Sequence, residues 1–381
     1  MNLNNIKFLI VGSGFYGAVL AERIANDLGE TVAIIEKRDH IGGNCFSTKN
    51  LETNICYHRY GTHIFHTSNK VVWDYLNQFT EFNSYTHHVL TTYKNKVYQM
   101  PINLETINSF YGLNLKPFEV DEFLEKEIQR DYFQNPKNFE EVAVNKMGRA
   151  LYEAFIKGYT QKQWQKKPSE LPANILMRLP FRKNYNESYF NSRWQGIPPD
   201  GYTEIFNKLL ANPKIKVYKE LDYFDIKDDL PKHLSIIFTG AIDSYFDYQF
   251  GRLEWRSLKF EYEVVPVADY QGTSVMNYAE KEIPYTRIHE PKHLHEEKKH
   301  IKNKTLIIRE YPDHNNNQPY YPINTETNQN KVRKYQAESK KQPNIIFGGR
   351  LGSYQYLDMD ETIAAALSTY EQVIKFKALN C

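Results

Sequence analysis

Cysteine, net charge and long apolar stretches are all scarce in this chain, and each shortage excludes a class of protein. The three cysteines, Cys45, Cys56 and Cys381, are an odd number without C-x-x-C spacing, which argues against a disulfide framework and a structural zinc site. No apolar run approaches the roughly 18 residues that a membrane-spanning helix needs. We therefore expect a cytoplasmic protein with no membrane partner.

The charged residues nearly cancel, since 48 Lys and Arg face 46 Asp and Glu and leave a formal net charge of +2. A balance this close to zero speaks against nucleic acid as a partner. What the chain has in abundance is aromatic side chains, with 29 Tyr and 22 Phe among 381 residues. Tyrosine offers a flat apolar face and a hydroxyl, which suits planar or sugar-like ligands.

The first forty residues predict a strand, a helix and a second strand. Residues 6–11 are apolar and rich in strand formers, Tyr16 to Leu28 has helical spacing, and Thr31 to Glu36 is again strand-like. A right-handed crossover makes these two strands parallel neighbours. This opening is typical of a doubly wound α/β sheet.

Three glycines between the first strand and the helix stand in a G-x-G-x-x-G frame, namely Gly12, Gly14 and Gly17. In this context the first permits a tight turn, the second lets backbone amides approach a pyrophosphate, and the third lets the helix pack on the strand. Glu36 ends the second strand, where an acid accepts hydrogen bonds from ribose hydroxyls. The pattern predicts a site for FAD or NAD without a 2′-phosphate.

Two further glycine pairs favour FAD, the longer of these cofactors. Gly42 and Gly43 directly follow the second strand, and Gly348 and Gly349 precede Arg350 much later in the chain. Each pair allows another close backbone approach, and we expect Arg350 to face a phosphate or a flavin carbonyl.

The remaining strand and helix patterns predict an α/β protein in which an FAD-binding, Rossmann-like doubly wound domain carries an inserted helical domain and an antiparallel β-sheet domain. Glu140 to Lys157 is expected as one helix, Asp360 to Phe376 as the last helix, and the proline-broken region near residues 165–182 as a mobile loop. The expected order is FAD-binding for residues 1–82, a sheet-domain hairpin for 83–102, the helical domain for 103–180, a return to the sheet domain for 181–212, FAD-binding for 213–250, the antiparallel sheet for 251–325 and FAD-binding for 326–381.

Several ordered stretches resemble the bacterial UDP-galactopyranose mutases, and together they span nearly the whole chain. They are VGSGFYG from Val11, EKRDHIGGN from Glu36, RYGTHIFHT from Arg59, KGYTQKQW from Lys157, the Leu- and Pro-containing segment around Arg178, YTRI from Tyr285, EYP from Glu310, YYPIN from Tyr320, and the segment from Ile345 to Met359 that begins IIFGGRL. The glycine turn alone names no family, but this ordered series does.

The resemblance implies a redox-neutral isomerase that converts UDP-galactopyranose to UDP-galactofuranose. In that scheme N5 of reduced FAD attacks the anomeric carbon, UDP leaves, the sugar ring opens and recloses while covalently bound to the flavin, and UDP returns. The resemblance also implies a homodimer, NAD(P)H or another reductant, and a role in surface polysaccharide synthesis. A flavin amine oxidase-like oxidoreductase is the alternative, because it shares the glycine turn and the segment around Gly42.

The same resemblance assigns residues to the substrate. Arg178 and Arg287 match two arginines that hold the diphosphate. On the residues alone, Arg178 is more simply an exposed loop arginine and Arg287 is as readily part of a cross-strand ion pair. The other substrate-binding residues implied are His87, Phe155, Tyr159, Thr160, Trp164, Tyr189, Asn277, Tyr321 and Tyr356.

On the flavin side, His63 and His66 match histidines near N5, where the resemblance implies catalytic roles beside Arg178 and Arg287. A buried, hydrogen-bonded histidine without a catalytic role is the alternative for each. The dipole of the helix after Asp358 is expected to stabilise negative charge on reduced flavin. The cofactor-binding residues implied are Gly12, Gly14, Tyr16, Gly17, Glu36, Lys37, Gly43, Asn44, His63, Ile64, Arg350, Tyr356, Asp358 and Met359.

Two stretches depart from the family's pattern. His87-His88-Val89 stands where an Asn-Ser-Pro turn is common, and Gln165-Lys166 replaces Gly-Arg. Because His87 is bulkier than Asn, the sugar's C2 substituent stays open, and with it UDP-N-acetylgalactosamine as a further substrate. No metal is predicted, because a cluster of four later histidines lies in a charged stretch without metal-ligand spacing. They are His289, His293, His295 and His300.

Overall fold

The computed structural model describes residue 3 and residues 5–173, 180–313 and 318–375. Its strands are β1 (Phe8–Val11), β2 (Val32–Glu36), β3 (Ser47–Lys49), β4 (Cys56–His58), β5 (Phe65–Thr67), β6 (Val89–Tyr93), β7 (Lys96–Met100), β8 (Trp194–Gly196), β9 (Ile215–Lys219), β10 (Ser235–Phe238), β11 (Trp255–Val265), β12 (Val275–Tyr278), β13 (Arg287–His289), β14 (Thr305–Asp313), β15 (Tyr321–Pro322) and β16 (Ile345–Phe347).

The α-helices are joined by short 3₁₀ and π turns. They are α1 (Phe15–Asp27), α2 (Lys70–Leu76), α3 (Leu104–Tyr111), α4 (Val120–Gln129), α5 (Phe139–Met147), α6 (Arg149–Leu151), α7 (Gly158–Trp164), α8 (Tyr202–Leu209), α9 (Tyr223–Ile226), α10 (Ile242–Tyr245), α11 (Glu326–Ser339), α12 (Gly349–Ser353) and α13 (Met359–Thr369).

The first sheet is parallel throughout, in the order β16-β10-β1-β2-β9. All five residues of β2 are buried, because helices and loops cover both faces, and this explains its unbroken apolar sequence. Helices α8 and α13 pack against α1. The predicted doubly wound opening is confirmed.

The turn between β1 and α1 requires glycine at two positions. Gly12 has φ of +99°, and a Cβ added there would lie 2.2 Å from Thr239 Oγ1. A Cβ on Gly17 would lie 2.2 Å from the carbonyl oxygen of Gly12. These contacts bring the start of α1 directly onto the sheet.

The second sheet has seven strands in the order β15-β11-β14-β13-β12-β6-β7. Its pairings are antiparallel, as predicted, except that β12 lies parallel to β6. The exception arises where the early β6–β7 hairpin joins strands from much later in the chain, so that no tight turn fixes the direction of that pair. This sheet carries Asn277 and Arg287.

Between the hairpin and β8 the chain forms the helical insertion, α3 to α7, whose core includes residues of β6, β7 and β12. The prediction of one helix over Glu140 to Lys157 is wrong. Gly148 interrupts it with φ of +80°, at a position where an added Cβ would lie 3.3 Å from Glu127 Cβ. The helix resumes at Arg149 and passes through a π turn, Tyr152–Lys157, into α7.

The last helix begins at Met359 and continues as a π turn, Tyr370–Lys375. Phe376, its predicted end, lies outside the described residues. Within the described ranges, no helix is both long and apolar enough to cross a membrane. The domain boundaries stay predictions.

Candidate functional site

A cradle with room for a ligand lies at the N-terminus of α1. Among the described residues, no atom would lie within 4 Å of a Cβ added to Gly14, and no side chain caps this end of the helix. The first N–H groups of α1 and the positive end of its dipole therefore face open space, the arrangement that binds a pyrophosphate. Gly43 closes one side, since its added Cβ would lie 3.2 Å from Gly14 Cα, and these residues fit a dinucleotide.

Glu36 and its neighbours form the wall beside the cradle. The Glu36 carboxylate accepts hydrogen bonds from Ser13 N at 3.0 Å, Ser13 Oγ at 2.7 Å and Arg38 N at 3.0 Å. It therefore also fixes the glycine turn. Arg38, which the sequence analysis missed, donates to Asn44 Oδ1 at 3.0 Å and stacks on Tyr60 at 4.4 Å. Lys37 is exposed.

Tyr16 packs the end of β16 against α1, and Arg350 follows directly in the chain. The Tyr16 ring fills the space beside Gly348, whose added Cβ would lie 2.2 Å from that ring. Arg350 donates to the carbonyls of Leu357 and Tyr320. These bonds already use several Arg350 N–H groups, so the expected contact with a phosphate or a flavin carbonyl stays a prediction.

The histidine segment, residues 63–67 around β5, contains His63 and His66. Hydrogen bonds decide which ring nitrogen of His63 carries the proton. His63 Nδ1 donates to the Gly61 carbonyl at 2.7 Å, while the His63 backbone N–H donates to His58 Nδ1 at 2.9 Å. Burial lowers the pKa of His63 to about 4, so the ring is neutral with Nε2 unprotonated. Burial also lowers the pKa of His66. Ile64 is buried between them.

Helix α13 is tied to the same segment. Thr67 Oγ1 donates to Asp360 Oδ2 at 2.7 Å, and the Asp358 N–H donates to Glu361 Oε2 at 2.8 Å. The Asp358 charge acts on the pKa of His66, opposing the effect of burial. The structure thus brings Asp358 near His66, while the expected effect of this helix on a reduced flavin stays a prediction.

A buried polar network surrounds Arg287 on β13. Its Nε lies 3.3 Å from Glu310 Oε1, and its Nη2 donates to Tyr159 on α7. Glu310 Oε2 also accepts from His289 Nε2 at 3.1 Å. Burial opposes ionisation of Glu310, but the positive charge of Arg287 and the His289 hydrogen bond outweigh it and lower the Glu310 pKa to about 2. Glu310 is therefore ionised and fixes the guanidinium.

A second cation, Arg256, escaped the sequence analysis. Its guanidinium lies over Tyr321 at 4.4 Å and over Trp164 at 5.3 Å, and the residue is only 7% exposed. Tyr321 and Tyr356 stack at 5.3 Å with Arg350 beside both rings. The YYP sequence around β15 could have pointed to Arg256 only through the pairing of β15 with the start of β11, where Arg256 lies.

Stacked rings connect the histidine segment with Arg287. His66 stacks on Phe190 at 3.7 Å, and Phe190 stacks on His87 at 5.6 Å. His87 contacts Tyr189 at 5.3 Å. Burial and, to a smaller extent, the charge of Arg287 lower the pKa of His87 to about 3. These ring contacts lead from β5 to the surroundings of Arg287 on the second sheet.

Three more of the predicted substrate-binding residues lie in three different environments. Asn277 is paired with Arg287 across β12 and β13, and its buried Oδ1 accepts no hydrogen bond from the described residues. Thr160 is buried on α7. Phe155 instead packs in the core of the helical insertion, against Tyr98 at 5.0 Å. Arg178 lies outside the described residues.

One group of possible metal ligands occurs among the described residues, formed by Asp269, Glu290 and His293. Lys292 already lies between its acids, 2.9 Å from Asp269 and 3.4 Å from Glu290. This ammonium balances their charge, and the group is separate from the arginine network.

The fold and site define a dinucleotide-binding α/β protein that carries, besides the cofactor cradle, a cluster of fixed cations, tyrosines and neutral histidines. A family model described as UDP-galactopyranose mutase matches residues 154–356, more than half of the chain, and one described as an NAD(P)-binding Rossmann-like domain matches residues 10–79. The chain belongs to the UDP-galactopyranose mutase family, whose enzymes are isomerases of the intramolecular transferase class.

Individual relatives cover nearly the full length. A probable UDP-galactopyranose mutase from Klebsiella pneumoniae is 41% identical over 98% of this chain and 96% of its own. A dTDP-fucopyranose mutase from Escherichia coli is 38% identical over 97% and 98%. The solved structure of a reduced UDP-galactopyranose mutase matches the fold with a TM-score of 0.76 at 14% identity, over 97% of this chain and 94% of that one. The predicted family and fold are confirmed.

Proposed function

We propose that the chain binds FAD and, with that cofactor reduced, converts UDP-galactopyranose to UDP-galactofuranose without net oxidation or reduction. The observation that carries the proposal is the continuous set of ring contacts from His66, whose strand β5 is hydrogen-bonded to α13, to Tyr189 beside Arg287. His66, Phe190, His87 and Tyr189 form this connection, which lies where a sugar would have to meet both a flavin and a diphosphate site.

The cofactor's binding follows from the cradle. The first turn of α1, beside Gly14, would hold the pyrophosphate, with Gly12, Gly17 and Gly43 keeping side chains away. Glu36 and Asn44 would hold the ribose side. When bound and reduced, FAD supplies an electron-rich nitrogen as the nucleophile toward the sugar.

Arg287 would hold the diphosphate with Arg178. The Glu310 carboxylate and Tyr159 fix the Arg287 guanidinium before any ligand arrives, so little orientation is lost on binding. Arg256 adds a second fixed positive charge on the side of Tyr321 and extends the set of residues predicted from the sequence.

The uridine would lie between α7 and β12. Trp164 and Tyr159 supply aromatic surface there, and Thr160 supplies a hydroxyl. The free Asn277 Oδ1 is an acceptor that requires a donor, which a uracil N–H or a ribose hydroxyl can provide.

His63 and His66 would act on the flavin side of the sugar. Because His63 is neutral and has its Nδ1 proton on Gly61, its Nε2 can accept a hydrogen bond or a proton but has none to give. His66 lies closer to the sugar pocket through its contact with Phe190.

The test is an anaerobic conversion assay with UDP-galactofuranose, followed by chromatography. Dithionite-reduced protein should form UDP-galactopyranose without stoichiometric loss of reductant, and oxidised protein should be inert. Turnover in the oxidised state, or none in the reduced state, contradicts the proposal. Bleaching of the flavin by amines without any nucleotide sugar would instead support an oxidase.

The names of the relatives differ in the nucleotide sugar, so substrate preference needs a test of its own. Since a relative named dTDP-fucopyranose mutase is nearly as similar as one named UDP-galactopyranose mutase, we test UDP-galactose, UDP-N-acetylgalactosamine and dTDP-fucose in direct competition. We expect UDP-galactose to give the highest kcat/KM.

We further propose that the protein is a cytoplasmic homodimer, that it receives electrons from NAD(P)H or another reductant, and that it serves polysaccharide synthesis. Light scattering tests the dimer, and stopped-flow reduction tests the electron donor.

A further inference from the structure

The junction between the helical insertion and the second sheet contains a lysine that no substrate assignment includes. Lys162 lies on α7, between Tyr159 and Trp164. Its Nζ donates to the Tyr278 carbonyl at 2.6 Å and to the Tyr285 carbonyl at 2.9 Å. These carbonyls belong to the end of β12 and to the residues just before β13.

Gly158 makes a second contact on the same face, one turn earlier. A Cβ added there would lie 2.4 Å from the Ala279 carbonyl oxygen and 3.1 Å from Lys281 N. Positions four residues apart share one helix face, so Gly158 and Lys162 together place α7 against the loop that joins β12 to β13. Nothing larger than glycine fits at position 158, and the Lys162 ammonium holds the other contact.

The elements that Lys162 joins are those that carry the proposed nucleotide site. Tyr159 and Trp164 are on α7, while Asn277 and Arg287 are on β12 and β13. Tyr159 already contacts Arg287 across this junction. Burial lowers the pKa of Lys162 to about 8, against the opposing charges of Glu280 and Glu282, so the ammonium form still predominates at neutral pH.

We propose that Lys162 is a positioning residue: its bonds to two backbone carbonyls fix Tyr159 and Trp164 relative to Asn277 and Arg287, and thereby set the affinity for the nucleotide part of the substrate. The inference rests on the proposed function. Ammonium-to-carbonyl hydrogen bonds are charge-assisted and therefore stronger than neutral ones, and methionine at this position would retain the apolar stem but make neither bond.

The experiment measures the Kd of UDP for the FAD-loaded protein by titration calorimetry. Lys162→Met should raise this Kd about tenfold, and Lys162→Arg, which keeps a cationic donor, should recover part of the loss. Lys157→Met is the matched control, since Lys157 pairs with Glu153 on its own helical segment at 3.2 Å. It should leave the Kd unchanged.

A double-mutant cycle separates positioning from loss of stability. If Lys162 positions Tyr159, Tyr159→Phe should weaken UDP binding less in the Lys162→Met background than in the wild type. A Kd for Lys162→Met within twofold of the wild-type value, or additive effects in the cycle, overturns the inference. If Lys162→Met fails to fold, Lys162→Arg in the same cycle decides, with additivity again overturning it. Failure of the wild type to bind UDP contradicts the proposed function itself.

Discussion

Arg287 and Glu310 are cross-strand neighbours on β13 and β14 and form an ion pair in which Glu310 is buried and Arg287 half-buried, with Nε 3.3 Å from Oε1. The two interpretations of Arg287, an ion-pair residue and a phosphate-binding residue, are therefore compatible. The pair leaves Nη2 directed at Tyr159. Glu310 neutralises the guanidinium in the free protein and fixes its direction, so it is part of the site although it faces no predicted ligand atom.

Glu310→Gln should destabilise the protein by about 2 kcal/mol at pH 7, because the half-buried Arg287 guanidinium loses the buried carboxylate that neutralises it. Urea unfolding of the two proteins measures the difference. Glu263→Gln is the control: it removes an exposed partner of Arg309 and should cost at most about 1 kcal/mol. Equal costs for the two substitutions would contradict the role given to burial.

The pH dependence of that difference has a defined sign. The Glu310 pKa is lowered in the folded protein to about 2, so its stabilisation is complete above the unfolded pKa near 4.5 and is lost as pH falls toward 2. The gap in unfolding free energy between the wild type and Glu310→Gln should therefore narrow between these pH values. A gap that stays constant would mean that the carboxylate's charge is not what stabilises the fold.

The sequence was sufficient for features with a local cause. The turn at Gly12 and Gly17 was predictable because glycine spacing, the apolar strand and the helix all lie within twenty residues. The helix over Glu140 to Lys157 failed because its apolar spacing continues through Gly148, whose backbone is set by close packing on Glu127 in another helix. Apolar periodicity within one segment cannot reveal a contact with another helix.

Site residues were predictable only where a motif carried them. Arg287 lies in one, whereas Arg256 lies in β11 without a distinctive neighbour, and its role becomes visible only when β15 pairs beside it. Phe155 is the opposite case. Its sequence neighbours Tyr159 and Thr160 lie on α7 near the second sheet, whereas the Phe155 ring packs in the core of the helical insertion. Long-range pairing decides such cases, and no local pattern encodes it.

Gly14→Ala should separate cofactor binding from folding. Gly14 has φ of −69°, an ordinary value for alanine, and the added methyl would meet no protein atom. We expect an apoprotein of unchanged unfolding temperature whose Kd for FAD is raised about tenfold or more, measured by flavin fluorescence. Gly12→Ala should instead lower the unfolding temperature, because it combines positive φ with a clash against Thr239. Normal FAD retention by Gly14→Ala would mean that the cradle is elsewhere.

Arg256→Met should raise KM for the nucleotide sugar about tenfold with a smaller change in kcat. The guanidinium is largely withdrawn from water between Tyr321 and Trp164, where a cation–π contact is worth up to about 2 kcal/mol. Initial rates with the reduced enzyme measure both constants. Arg252→Met, which removes an exposed guanidinium stacked on Tyr248 at 3.8 Å, should change neither. A fall in kcat alone would place Arg256 at the reacting atoms instead.

Buried histidines should make the fold sensitive to mild acid. The folded pKa of His63 is about 4 and that of His87 about 3, both lowered chiefly by burial from the usual 6.5. Each neutral ring therefore contributes stability that is complete above pH 6.5 and is lost as pH falls through its folded pKa.

Thermal unfolding between pH 7.5 and 4 tests this sensitivity, and the unfolding temperature should fall steadily below pH 6.5. His87→Asn removes one of the rings, so its decline over that range should be shallower than that of the wild type. A profile parallel to the wild type would show that the His87 ring becomes protonated without cost, and hence that its stacking on Phe190 does not keep it neutral.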